Sequence, residues 1–173
     1  MALKLLGGSL FILAAAGIGR EAARNYVRRP AELKDFLQAL QVLETEIGFG
    51  LNPLPEAMRQ AATATGGCAA RVFSACAGTL AAGDSPSAGF AWLQALGQAL
   101  PGGHLNDEDR AALQALAASL GGSDARDQLK HLALCRERLK RLLAQAEDER
   151  ERQARSWSYA CTLIGLLVVL VLI

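Results

Sequence analysis

The chain has 173 residues, 18 of them Lys or Arg and 17 Asp or Glu, for a formal net charge of +1. A length of that order suits one compact domain with appendages. So even a balance gives no reason to expect nucleic acid as a partner, because neutralising phosphates takes a basic excess.

Charge is almost absent from the two ends. Leu5 to Gly19 reads "LLGGSLFILAAAGIG" and Trp157 to Ile173 reads "WSYACTLIGLLVVLVLI", neither with a charged residue. Each run is at or just under the roughly 17 to 25 apolar residues that cross a bilayer, and two of them at opposite ends of an otherwise amphipathic chain read as membrane anchors. For the first run the competing reading is a cleaved signal peptide, with Lys4 ahead of an apolar stretch and small residues in "AAAGIG". Against it, Arg20, Arg24, Arg28 and Arg29 follow at once and oppose translocation of what comes after. Arg150, Arg152 and Arg155 crowd the approach to the second run, where Trp157 and Tyr159 stand as an interfacial aromatic belt would. Both biases put the middle of the chain on the cytoplasmic side. Ala15, Gly19 and Ala23 recur every fourth residue, either a packing face for close helix approach in lipid or a chance product of an alanine-rich helix.

Between the runs, six amphipathic segments are legible from apolar spacing. Leu33, Phe36, Leu37, Leu40, Leu43 and Ile47 mark one face of the first, entered at Pro30, and Gly48 and Gly50 release the backbone at its end. Asn52 as a cap and Pro53 at the first position open the second, whose face is Leu54, Ala57, Met58, Ala61 and Ala62 and which "TGG" at Thr65 to Gly67 closes. The third carries Ala69, Val72, Phe73, Cys76 and Leu80 and stops at the Gly83 and Asp84 of "GDSP". Phe90, Leu93, Leu96 and Leu100 mark the fourth, ended by "PGG". Asn106 followed by Asp107, Glu108 and Asp109 signals the start of the fifth, a capping side chain with acids against the positive end of the helix dipole; Leu113, Leu116, Ala117 and Leu120 form its buried face. From Asp124 the helical pattern has no breaker before the C-terminal run. Leu132, Cys135, Leu139, Leu142 and Ala146 alternate by three and four as a packing seam. The seam then gives way to "EDERERQAR", where Asp148 with Arg152 and Glu151 with Arg155 can pair one turn apart.

No segment alternates with the period of a strand. The expected fold is all-α, a six-helix antiparallel bundle flanked by an N-terminal and a C-terminal transmembrane helix. Residues 1–20 form the first transmembrane helix, running into a basic juxtamembrane segment to 29. Residues 30–146 form the bundle, 147–156 a charged stalk of the last helix and 157–173 the second transmembrane helix.

The chemistry of common enzymes is missing from the sequence. There is no Gly-x-x-x-x-Gly-Lys-[Ser/Thr] phosphate loop, and "GFGLNP" has Pro53 where a dinucleotide fingerprint needs its third glycine and follows a helix rather than a strand. His104 and His131, the only histidines, are read as surface or boundary residues, with no surrounding set of cysteines and carboxylates that suggests a metal. Cys68, Cys76, Cys135 and Cys161 are scattered singly and read as core filler. No catalytic residue, cofactor or metal is expected, and the chain is read as no enzyme. One residue is out of pattern. Projected at 100° per residue, Glu44 falls between Leu37, Leu40 and Ile47, on the apolar face of the first helix. A carboxylate there needs hydrogen-bond donors or a cation, either inside the bundle or at a groove where a partner docks.

The segments "LKLLGGSLFILAAAGIGREAARNYVRRPAELKDFLQALQVLETEIGFGLNPLPEAM", "GDSPSAGFAWLQAL" and "LAASLGGSDARDQLKHLALCRERL", with the terminal apolar run, closely resemble the stage III sporulation protein AB family over nearly the whole chain. The "LETEI" and "PLPEA" stretch is the most specific part. That family is in turn similar to the cytoplasmic domain of the inner-membrane platform protein of type II secretion and type IV pilus systems, a six-helix bundle. In "PLPEAM" and "AAGDSPSAGF" the chain resembles the platform's proline-led helix and later Gly-acid turn, here Gly83 and Asp84. It departs in having one bundle and two anchors where the platform has two domains and more spans.

The resemblance implies a non-catalytic platform subunit of a secretion-like channel complex for endospore formation. The bundle would face the mother-cell cytoplasm from the cell membrane around the forespore. Implied partners are a separate secretion-type ATPase, the other subunits of the complex, the membrane and further copies of the chain. Glu44, Gly48, Gly50, Pro53, Gly83 and Asp84 are the structural or partner-contact candidates. Arg20, Arg24, Arg28, Arg29, Arg155, Trp157 and Tyr159 are the membrane-anchoring ones. A different reading is an independent membrane-remodelling or pore-forming protein that self-associates through its transmembrane helices.

Overall fold

The structure, a computed structural model, describes residues 27–49, 52–122 and 124–172, with side chains as far as 153. It divides into two compact units, one of Met1–Arg28 with Ala146–Ile173 and one of Arg29–Gln145. Among the described residues there are six α-helices, a short 3-10 turn and no strand. They are α1 over 27–49, α2 over Leu54–Thr63, α3 over Gly67–Ala82, α4 over Ala88–Ala99, α5 over Asp107–Gln114 continuing into the 3-10 turn Ala115–Ala118, and α6 over Ala125–Leu172.

Local chemistry sets most of the boundaries. α1 is already helical at residue 27, so Pro30 does not open it. Asn52 does not cap α2: its amide donates to Glu46 at 2.8 Å. Pro53 takes the cap position without a side-chain bond, and its carbonyl accepts from the Glu56 and Ala57 amides. α3 ends at Gly83 with φ 73°, where the Asp84 amide reaches the Thr79 carbonyl and the Gly83 amide that of Leu80, the paired bonds of a Schellman stop. The Ser87 hydroxyl accepts from the Phe90 amide to start α4. Asn106 and Asp109 form a reciprocal capping box at α5.

The core of the second unit is built on three rings. Phe36 of α1, Phe73 of α3 and Trp92 of α4 are fully buried, with centroids 6.5 Å apart for the first pair and 5.1 Å, edge-on, for the second. The Trp92 indole N–H donates to the Leu113 carbonyl at 2.8 Å, satisfying the one polar atom this large side chain takes inside. α2 packs on α3, α3 on α4, and α4 on the 3-10 turn. The last of these contacts is very close. A methyl group on Gly89 would stand 2.1 Å from the Ala117 carbonyl oxygen, so only glycine fits there.

α4 corrects the sequence reading. The spacing predicts a face of Phe90, Leu93, Leu96 and Leu100; Leu96 and Leu100 are buried, but Phe90 and Leu93 are 53% and 44% exposed. The face turned inward is Gly89, Ala91, Trp92, Ala95, Leu96 and Ala99. Small residues let α4 approach its neighbours, and one tryptophan fills what several leucines would have. On α6 the expected seam holds: Leu132, Cys135, Leu139, Leu142 and Ala146 are all buried, and residues 147–152 are exposed. The cysteines of the second unit serve as core, with burial pushing the Cys76 thiol up to about 12 and Cys135 to about 11.

Among the described residues no helix is long and apolar enough to cross a membrane. The first uncharged run, with Arg20 and Arg24, lies outside the described residues. So do the side chains of the second run and of Arg155, Trp157 and Tyr159.

Candidate functional site

Glu44 has a partner. Its carboxylate pairs with the Arg136 guanidinium, carried by α6 and 92 residues away in sequence. The side chains are 30% and 22% exposed respectively, so the pair lies at the rim of the core. The apolar stripe of α1 is centred on Leu33, Phe36, Leu40 and Leu43, all fully buried, whereas Leu37 and Ile47, which bracket Glu44 in projection, are half-buried. Glu44 therefore flanks the stripe instead of interrupting it.

The pair opens onto a shallow groove between α1 and α6 with a volume of about 480 Å³. Gln41, Glu44, Thr45, Gly48 and Phe49 line it from α1, and Leu129 and Arg136 from α6. Gly48 is still helical, and a methyl group there would rest 3.8 Å from a Leu129 methyl, an ordinary contact. It does not release the chain from the helix, as its sequence position suggested; Gly50 lies outside the described residues. Phe49 is 74% exposed beside the groove. The Nε of Arg136 is shut off from solvent and meets no acceptor among the described residues. The site thus combines an ion pair, an open helical surface and an exposed aromatic ring.

Gly83 and Asp84 are exposed at the α3–α4 turn and do not line this groove, nor does Pro53. Of the arginines expected to anchor the chain at a membrane, Arg28 is exposed and Arg29 is not. Arg29 is buried, its Nε donating to Asp109 Oδ2 at 2.8 Å and its Nη2 to Oδ1 at 3.1 Å. Asp109 is wholly buried and also accepts from the Asn106 amide at 3.0 Å. A residue this enclosed holds α1 to α5, a place the count of positive charges after an apolar run could not reveal. Asp109 was visible in the sequence only as one of three acids against the positive end of the helix dipole. Nearby, the Glu32 carboxylate accepts from the His104 amide at 2.8 Å and fastens the loop before α5 to α1.

Among the described residues no three His, Cys, Asp or Glu side chains gather as a metal site requires. The family model of stage III sporulation protein AB matches residues 4–173. The chain belongs to the stage III sporulation protein AB family. It is 33% identical over 170 residues to stage III sporulation protein AB of Bacillus subtilis strain 168, covering 98% of this chain and 99% of that protein. A solved structure of stage III sporulation protein AB superposes with a TM-score of 0.68 at 32% identity, over 72% of this chain and 98% of the other. The family is one of sporulation proteins, and its shared fold is the helical bundle described above.

Proposed function

We propose that the chain is a non-catalytic membrane platform subunit of a secretion-like channel complex needed for endospore formation. The two uncharged runs act as flanking transmembrane helices that hold it in the mother-cell membrane around the forespore. The bundle faces the cytoplasm, where it engages a separate secretion-type ATPase and couples it to the other subunits. Family membership supports the role in sporulation. The arginines beside both uncharged runs support the topology.

The observation that carries the coupling is the groove between α1 and α6. An aromatic ring 74% exposed beside an ion pair at the rim of the core has no task inside the bundle, and aromatic and arginine side chains are the usual anchors of a protein contact. The test is capture of the ATPase by the full chain in detergent. Capture that is lost with Phe49→Ser or Arg136→Glu, while helicity and thermal unfolding are kept, supports the reading. A well-folded chain that never captures active ATPase counts against it, as does cysteine labelling that places residues 30–146 outside the cytoplasm. Leakage from vesicles holding this chain alone would favour a self-contained pore instead.

A further inference from the structure

From Val72 to Gly103, the stretch that makes most of α3 and all of α4, the sequence holds one charged residue, Asp84, in a chain that carries 18 basic and 17 acidic residues. The inner face of α4 is committed to the core. Its outer face presents Phe90 and Leu93, 53% and 44% exposed, three residues apart. Four residues beyond Leu93, and on the same face by helical spacing, comes Gly97. Glycine inside a helix costs stability, and here no neighbour asks for it: an added methyl group would meet nothing within 4 Å. Two apolar projections and a gap thus share one uncharged face, with the exposed amide of Gln94 beside them.

We propose that the outer face of α4 is a self-association surface whose occupant is a second copy of this chain, an inference that stands apart from the ATPase coupling. Shape and charge both select that occupant. Two antiparallel copies of α4 about a two-fold axis place Phe90 and Leu93 of each over Gly97 of the other, the reciprocal contact an isologous interface requires. A charged partner would surrender its hydration to a face that offers no counter-charge, whereas the same face of a second copy brings none to bury. Gln94, both donor and acceptor, can pair with its own symmetry mate.

The test is sedimentation of the full chain in detergent micelles, with Gln94→Cys copies treated with a short bis-maleimide in membranes. The expected results are a dimer, a cross-link through position 94, and a dissociation constant raised roughly tenfold or more by Gly97→Arg and by Phe90→Ser. Leu134→Ser, which removes an exposed leucine of α6, leaves the dimer unchanged. A chain that stays monomeric through the micromolar range overturns the proposal. So does a dimer that survives both α4 substitutions with the fold intact, or an effect of those substitutions confined to vesicle binding.

Discussion

α1 is tied to the rest of its unit by two arginine–carboxylate pairs, and their surroundings give them different work. Near its start, Arg29 meets Asp109, whose side chain has no exposed surface, through two parallel hydrogen bonds. Near its end, Glu44 meets Arg136 with 30% and 22% of the side chains open to water. Both oxygens of the buried carboxylate are engaged, holding Nε and Nη2 of Arg29 and the Asn106 backbone amide. At the rim, the arginine keeps an Nε with no acceptor among the described residues. Desolvation makes the first pair all-or-nothing, because removing one partner strands the other in the core. The second is screened, adjustable and accessible to a partner. Position relative to the core, more than the type of bond, separates a structural pair from one free to take part in binding.

Four variants test that contrast, all read by denaturant unfolding of the full chain in detergent. Asp109→Ala leaves Arg29 buried without its counter-charge and breaks the capping box, so it is expected to cost about 3–5 kcal/mol. The double change Arg29→Met with Asp109→Leu removes both charges and is expected to fall within about 2 kcal/mol of the natural chain. A loss as large as that of the single variant would show that the hydrogen-bond geometry itself carries the stability. Asn106→Ala removes only the capping side chain and is expected to cost about 1 kcal/mol. Glu44→Gln is expected to change stability by less than about 1 kcal/mol, with a difference that shrinks as salt is raised. If Glu44→Gln proved as damaging as Asp109→Ala, the two pairs would be equivalent and the groove would be core.

The sequence exposed what is local and periodic. All six helices were readable because apolar spacing, the Asn106 cap, the glycine of the Schellman stop and the long seam of α6 are each written within a few residues. α4 was placed correctly and Leu96 and Leu100 are buried as its spacing predicts, but Phe90 and Leu93 face outward; the spacing favoured them because both outrank alanine and glycine on any hydropathy count. Close backbone packing, as at Gly89 against Ala117, needs the small residues inside. At the candidate site, Glu44 stood out as an anomaly, but its partner lies 92 residues off and helical spacing cannot see across that distance. Arg29 was misread for the same reason, its charge having been counted with its neighbours and its partner lying 80 residues away.

Those separations set an order on how the bundle is completed as the chain is made. Synthesis delivers α1 first, yet its pair with Asp109 cannot close until 80 further residues exist, and its pair with Arg136 waits for 92. Contacts of such long range close late and slow the final docking step. A ribosome that stalled between α4 and α5 would therefore leave the opening helix of the bundle without either clamp.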